Sequence, residues 1–317
     1  MENTLFINKY QPLYFNDFEI EPEIVEILQT LIAMNNLNIM FVGNMGSGKT
    51  SLLNALIREY YKGVDNYKDN ILYINSLKEQ GINYYRTDVK TFCQTCSSIK
   101  NKKKIVVLDD LDFINEQSQQ VFRNCIDKFS HNVHFISSCS NLQKIIENLQ
   151  SRFTIVKIKP LDRVNLLKII NKIKINENIL IDTPAEDFLL DVCNNSAKVV
   201  INYMEKFKLL NTYIHLDLIK KVCTNINFGD FNTFTSCIKE RNLKQALGII
   251  YFIYDQGYSV MDILDNYFTF IKITNLLSED DKYKIIPYIC KYITVFHNVH
   301  EDEIELALFT NNLVQLF

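Results

Sequence analysis

The chain contains no tryptophan, and its 317 residues include only 8 glycines and 5 prolines. With so few backbone breakers, most of it can form regular elements joined by short connections. It also lacks any imbalance of charge: 34 Lys and Arg face 37 Asp and Glu, which excludes a polybasic nucleic-acid coat. No apolar run approaches the roughly 18 residues of a membrane helix, and the opening MENTLFINKY lacks the basic-then-apolar layout of a secretory leader. The 8 cysteines follow no repeating spacing, which argues against a disulfide framework, and Cys93-Gln-Thr-Cys96 has no second pair to complete a zinc site. The expectation is a soluble intracellular protein with reduced thiols and no membrane contact.

What is present points to packed cores. Hydrophobic residues make up 47% of the chain against 22% charged, and 17 Tyr and 21 Phe supply bulk. The length fits two or three domains. Lys, Asn, Ile and Tyr are used heavily throughout, so a local lysine cluster carries less weight here than elsewhere.

Up to residue 160, short apolar runs alternate with amphipathic stretches. NIMFVG (38–43), ILYIN (71–75), KIVVLDD (104–110) and VHFISSC (133–139) read as buried strands, and the alternation implies a parallel sheet covered by helices on both faces. Beyond Pro160 the alternation gives way to apolar residues at three- and four-residue spacing, as in DRVNLLKIINKI and AEDFLLDVC. The segment NFGDFNTF (227–234) reads as a boundary, after which helical patterning resumes. The expected organisation is an α/β P-loop domain over 1–160, a small helical domain over 161–226 and an all-helical domain over 227–317.

Three of the glycines fall within six residues, in Gly43-Asn44-Met45-Gly46-Ser47-Gly48-Lys49-Thr50. This is a phosphate-binding loop, set between an apolar strand and the helix-forming SLLNALIREY that begins at Ser51. Its glycines let backbone N–H groups converge on phosphate oxygens at a helix N-terminus, Lys49 reaches the outer phosphates, and Thr50 offers a hydroxyl to Mg²⁺. A nucleotide site also needs acids at a neighbouring strand end, which Asp109 and Asp110 supply after Ile105 to Leu108. Asp109 is the expected direct or outer-sphere Mg²⁺ partner, and Asp110 is placed to orient or polarise an attacking water.

Further segments carry a resemblance. They are Lys9-Tyr10-Gln11-Pro12; Asn75 with Glu79-Gln80-Gly81-Ile82 and Arg86; Asp109-Asp110-Leu111-Asp112; Phe135 to Phe153, FISSCSNLQKIIENLQSRF; Asn194 to Lys198; Gln256 to Ser259; and Glu303 to Leu313. Over essentially its whole length the chain resembles the small subunits of replication factor C, the sliding-clamp loaders of the AAA+ ATPase superfamily. That resemblance implies an α/β AAA+ P-loop domain followed by a helical lid and a helical collar for oligomerisation. It implies ATP and Mg²⁺ as ligands, and an adenine-side box at Lys9, Tyr10 and Pro12. Ser140 and Asn141 stand at sensor 1, Lys198 at sensor 2, and Arg152 is an arginine finger that reaches the ATP of a neighbouring subunit. The implied activity is ATP hydrolysis coupled to opening a clamp and loading it onto primer–template DNA. The implied partners are sister subunits in a hetero-oligomer, a pentamer in this family, a clamp of the PCNA type, and DNA, in the nucleus or a cytoplasmic replication compartment.

Three departures touch the site. Asp110 replaces the Glu of the family's DEAD box and draws the carboxylate back by about 1.5 Å, one C–C bond. Ser140 takes the sensor-1 Asn position, with an Asn following at 141, and Lys198 replaces the sensor-2 Arg, keeping the charge without the bidentate fork. A catalytic subunit and a non-catalytic, ATP-holding subunit are both compatible with this pattern, and they part at Asp110. An AAA+ initiator or helicase loader is a third reading and would call for a C-terminal winged helix with a β-hairpin. For DNA, residues 84 to 104 place Arg86, Lys90, Lys100, Lys102, Lys103 and Lys104 against one acid, Asp88. The family's chamber-lining helices point to Arg86, Lys90 and Arg123 as phosphate contacts, whereas the run at 100–104 reads as a capped, solvated loop.

Overall fold

The computed structural model describes residues 5–75, 81–193, 195–223, 226, 228–296 and 300–317. Glu79, Gln80 and Asn194, which figure in the resemblance, lie outside the described residues, as does the side chain of Asn75. The chain forms two compact units, Met1–Glu186 with Cys193–His215, and Asp187–Val192 with Leu216–Phe317. Among the described residues no helix is long and apolar enough to cross a membrane.

The first unit is built on a five-stranded parallel sheet of β1 (Ile39–Val42), β2 (Ile71–Asn75), β3 (Lys104–Asp109), β4 (Val133–Cys139) and β5 (Thr154–Lys157). Its order is β2-β3-β4-β1-β5. The first four strands are the four apolar runs expected from sequence. The fifth, TIVK, was not expected: it is a short edge strand with only Val156 buried, so it shows neither a continuous apolar run nor a full alternation. β3 and β4 are buried nearly throughout, as strands covered on both faces must be.

Side chains alternate along each strand, and the core divides accordingly. Ile39, Phe41, Ile105 and Val107 pack with Leu52 and Leu56 of helix Lys49–Tyr60 on one face. Met40, Val106, Leu108 and Phe135 pack with Val89 and Phe122 on the other, from helices Ile82–Gln94 and Glu116–Phe129. β1 runs directly into the glycine-rich loop, and the chain reverses strand order around β1. The crevice outside the carboxyl ends of β1, β3 and β4 is therefore the ligand position that such sheets offer.

The second unit is helical among its described residues, with helices Phe228–Lys239, Leu243–Asp255, Val260–Ile273, Glu279–Phe296 and Glu303–Leu316. They close around Tyr267, whose ring lies edge-on to Phe234 and Phe309 and whose hydroxyl lies 3.3 Å from Thr235 Oγ1. Residues 228–234, within the segment read from sequence as a boundary, form the first turns of Phe228–Lys239, and Phe231, Phe234 and Ile238 bury one stripe of it.

Candidate nucleotide site

The loop after β1 is shaped by close approaches. The Gly43 N–H donates to Cys139 O at 3.3 Å, and a side chain at Gly43 would meet Ile158 O at 2.7 Å. Gly46 and Gly48 hold φ of +76° and +89°, the left-handed region that residues with a Cβ enter at a cost. Lys49, the first residue of its helix, is 6% exposed. Its Nζ donates to Gly43 O at 2.8 Å, Asn44 O at 2.9 Å and Ser140 Oγ at 3.2 Å. All three acceptors are neutral, and among the described residues no carboxylate forms a salt bridge with this ammonium. A buried ammonium held directly only by neutral oxygens keeps part of its charge uncompensated, so the cradle fits an anion. Ser47 Oγ, buried in the same loop without a hydrogen-bond partner among the described residues, adds a second polar group that a phosphate oxygen would satisfy.

The acids lie beside it. Thr50 Oγ1 donates to Asp109 Oδ2 at 2.9 Å, a hydroxyl and a carboxylate whose oxygens suit a hard divalent cation. Ser138 Oγ donates to the other oxygen, Asp109 Oδ1, and accepts the Asp110 N–H at 3.0 Å. Asp110 sits in the left-handed region at φ 54°, ψ 54°. Burial, reinforced by Asp109, pushes its carboxyl above the ordinary range, while Lys49 pulls the other way. Asp112 Oδ2 accepts the N–H groups of Ser140 and Asn141 at 3.3 and 3.2 Å, fixing the end of β4. Of the two sensor-1 residues, Ser140 reaches Lys49. Asn141 is exposed and spends its Oδ1 capping the following turn at Gln143 N, 2.9 Å away.

Other expected residues are distributed differently. Met45 is 75% exposed on the outer lip of the loop, with Asn44 also exposed and Ser51 half-buried on the helix. Helix Ala197–Leu210 begins against the loop, since a methyl group on Gly46 would collide with Ser196 Oγ; Lys198, one residue into that helix, is exposed. Lys9 Nζ and Tyr10 OH both donate to Glu177 Oε1, at 2.5 and 2.6 Å, and Pro12 is half-buried. These bonds hold the Glu177 carboxyl below its ordinary range, Lys9 contributing most, and burial together with Glu177 pushes Tyr10 up to about 12. The structure thus brings Lys9 and Tyr10 to the end of helix Arg163–Glu177. Glu177 and Ser138 went unnoticed in the sequence; for Ser138 the available signal was a pair of serines inside an otherwise apolar strand.

Arg152 is half-buried and gripped by Asp127, Nε to Oδ1 at 2.6 Å and Nη2 to Oδ2 at 3.0 Å. Arg123 approaches the same carboxylate at 3.9 Å. Arg86 and Lys90, four apart on Ile82–Gln94, lie exposed on one helix face. In the lysine run, Lys102 Nζ donates to Tyr60 O at 2.6 Å, Lys103 Nζ to Ser130 O at 3.2 Å and Lys104 Nζ to Phe92 O at 3.3 Å, so these three cap carbonyls.

The family of AAA ATPases associated with various cellular activities matches residues 39–161. Replication factor C small subunit of Sulfolobus acidocaldarius is 30% identical over 205 residues, 64% of this chain and 62% of that protein, so that alignment leaves over a third of the relative unmatched. The small subunit of Methanococcus maripaludis is 27% identical over 287 residues, 90% of each chain. Among solved structures, the Holliday junction branch migration motor RuvB of Thermotoga maritima superposes with a TM-score of 0.55 at 13% identity, covering 72% of this chain and 79% of that one, a likeness of fold.

Proposed function

We propose that this chain is a clamp-loader subunit of the replication factor C small-subunit type, an AAA ATPase like the relatives it resembles. It binds ATP with Mg²⁺ in the crevice at Lys49 and works beside sister subunits to load a ring clamp of the PCNA type onto primer–template DNA in a replication compartment. The observation that carries the reading is the buried Lys49 ammonium among neutral oxygens, with the Thr50–Asp109 pair beside it. Backbone N–H groups of the loop and Lys49 hold the phosphates, and Thr50 with Asp109 would hold Mg²⁺. Bound Mg²⁺ supplies charge neutralisation on the outer phosphates. Ser140 orients the Lys49 amine, Asp110 orients the attacking water, and Lys198 on the adjoining helix offers a charge to the phosphates. Lys9 and Tyr10, tied to Glu177, form the wall on the adenine side together with Pro12. In this reading residues 161–226 act as the lid and 227–317 as the collar.

Arg152 serves a neighbour's ATP, with Asp127 holding its guanidinium ready, and Arg86, Lys90 and Arg123 follow the DNA backbone. In an assembly reconstituted with sister subunits and clamp, Arg152→Ala is expected to leave this subunit's own ATP affinity intact and to cut hydrolysis at the neighbouring site by on the order of 10³-fold. Lost affinity in the isolated subunit with unchanged assembly turnover would make Arg152 a ligand in cis and contradict the reading. One observation favours a second version, a subunit that holds ATP without hydrolysing it efficiently: the shortened Asp110 on its left-handed turn. The initiator or helicase-loader reading would call for a winged helix with a β-hairpin, whereas the described residues of Leu216–Phe317 form helices.

A further inference from the structure

Ser138 lies in a central strand and is wholly buried, on the sheet face that carries Ile136, Ile105 and Val107. A hydroxyl on such a face needs partners, and its partners are both acids of the site. The β3–β4 ladder ends at Leu108 paired with Ser137, so the Asp110 N–H has left the sheet, and Ser138 Oγ accepts it at 3.0 Å. A hydroxyl has one proton and two lone pairs. With a lone pair given to Asp110, its proton goes to Asp109 Oδ1, and Asp109 Oδ2 is left facing Thr50 at 2.9 Å. One oxygen atom thereby fixes the rotation of the Asp109 carboxylate and anchors the left-handed turn that carries Asp110. Neither acid gains this restraint from its own strand.

We infer that Ser138 is a positioning residue for the divalent-cation side of the site: it touches neither phosphate nor cation and acts by holding Asp109 and Asp110 in register. The inference rests on the nucleotide-site reading above. Ser137 provides a matched control, since its hydroxyl is buried one residue away on the opposite face without a hydrogen-bond partner among the described residues. Residues that orient a metal ligand from behind typically change metal affinity by about 10- to 100-fold when removed.

The test uses the full chain loaded with ADP, with Mn²⁺ binding followed by electron paramagnetic resonance and nucleotide affinity in EDTA measured by calorimetry. Ser138→Ala is expected to raise the Mn²⁺ concentration for half-saturation about 10-fold or more while changing metal-free nucleotide affinity by less than about twofold. Ser138→Thr, which keeps the hydroxyl, is expected to stay near the natural chain, and Ser137→Ala to match it. Unchanged Mn²⁺ half-saturation in Ser138→Ala overturns the inference, as does a Thr variant that falls as far as Ala. Should Ser138→Ala fail to fold, Ser138→Val against Ser138→Thr, near-equal in volume, decides the same point by whether only Val loses Mn²⁺ affinity. A natural chain that binds no nucleotide with or without metal overturns the nucleotide-site reading instead.

Discussion

Asp110 stands where the family pattern has Glu, and its backbone is turned into the left-handed region with its N–H tied to Ser138. The turn fixes where the Cβ points, so the missing methylene is not recovered by swinging the chain. A catalytic group misplaced by about 1 Å can cost on the order of 100-fold in rate. Asp110→Glu is therefore expected to raise the single-turnover rate of ATP hydrolysis by this subunit, with ATP affinity unchanged. A slower Glu variant beside an inactive Asp110→Asn would mean that Asp110 is already well placed, and the version of the function without efficient hydrolysis would fall. Lys49, Thr50 and Asp109 were legible in the sequence because their geometry is set locally, by a strand, a glycine turn and the start of a helix. Ser138, Asp127 and Glu177 were not: each earns its place by a contact with a distant segment, Glu177 with Tyr10 across 167 positions. No local pattern encodes that separation.

Strands β1 to β4 were readable because burial on both faces writes an unbroken apolar run, and β5 was not because an exposed edge strand of four residues writes neither run nor alternation. The helix Phe228–Lys239 begins inside the segment read as a boundary, and the spacing of Phe231, Phe234 and Ile238 sets its buried stripe. β4 also carries a residue with no part in the nucleotide chemistry. His134 is buried near the start of the strand, accepts the Leu37 N–H at Nδ1 (3.3 Å) and faces Asn35 Oδ1 through Nε2 (3.0 Å), an arrangement that suits the neutral ring. Burial, with Lys103 and Lys102 nearby, lowers its pKa from 6.5 to about 3. The unfolded chain therefore binds a proton that the folded chain refuses between these values, so this contribution to stability is complete above about pH 6.5 and is lost progressively as pH falls toward 3. Chemical unfolding across pH 6.5 to 4.5 is expected to show a slope shallower by up to about 1.4 kcal/mol per pH unit in His134→Gln than in the natural chain. Equal slopes would mean that His134 protonates without penalty in the fold.

Taken across the whole chain, a near-neutral protein can still follow DNA through a local stripe. Arg86, exposed on Ile82–Gln94, and Arg123, on Glu116–Phe129, sit on the two helices that cover one face of the sheet. For the assembly, DNA affinity is expected to fall with salt and to show little sequence preference, and removing Arg86 and Arg123 together to flatten the dependence on log salt by about one to two. An unaltered slope would put the DNA elsewhere. All of these expectations depend on the crevice at Lys49 being a nucleotide site, and calorimetric titration of ATP with Mg²⁺ into the natural chain and into Lys49→Ala tests that most directly. Lys49 offers charge-assisted hydrogen bonds worth about 1.5–3 kcal/mol each, so the natural chain should bind and the variant should lose affinity by on the order of 100-fold while both units remain folded. Equal affinity in the two chains would contradict the assignment of the site.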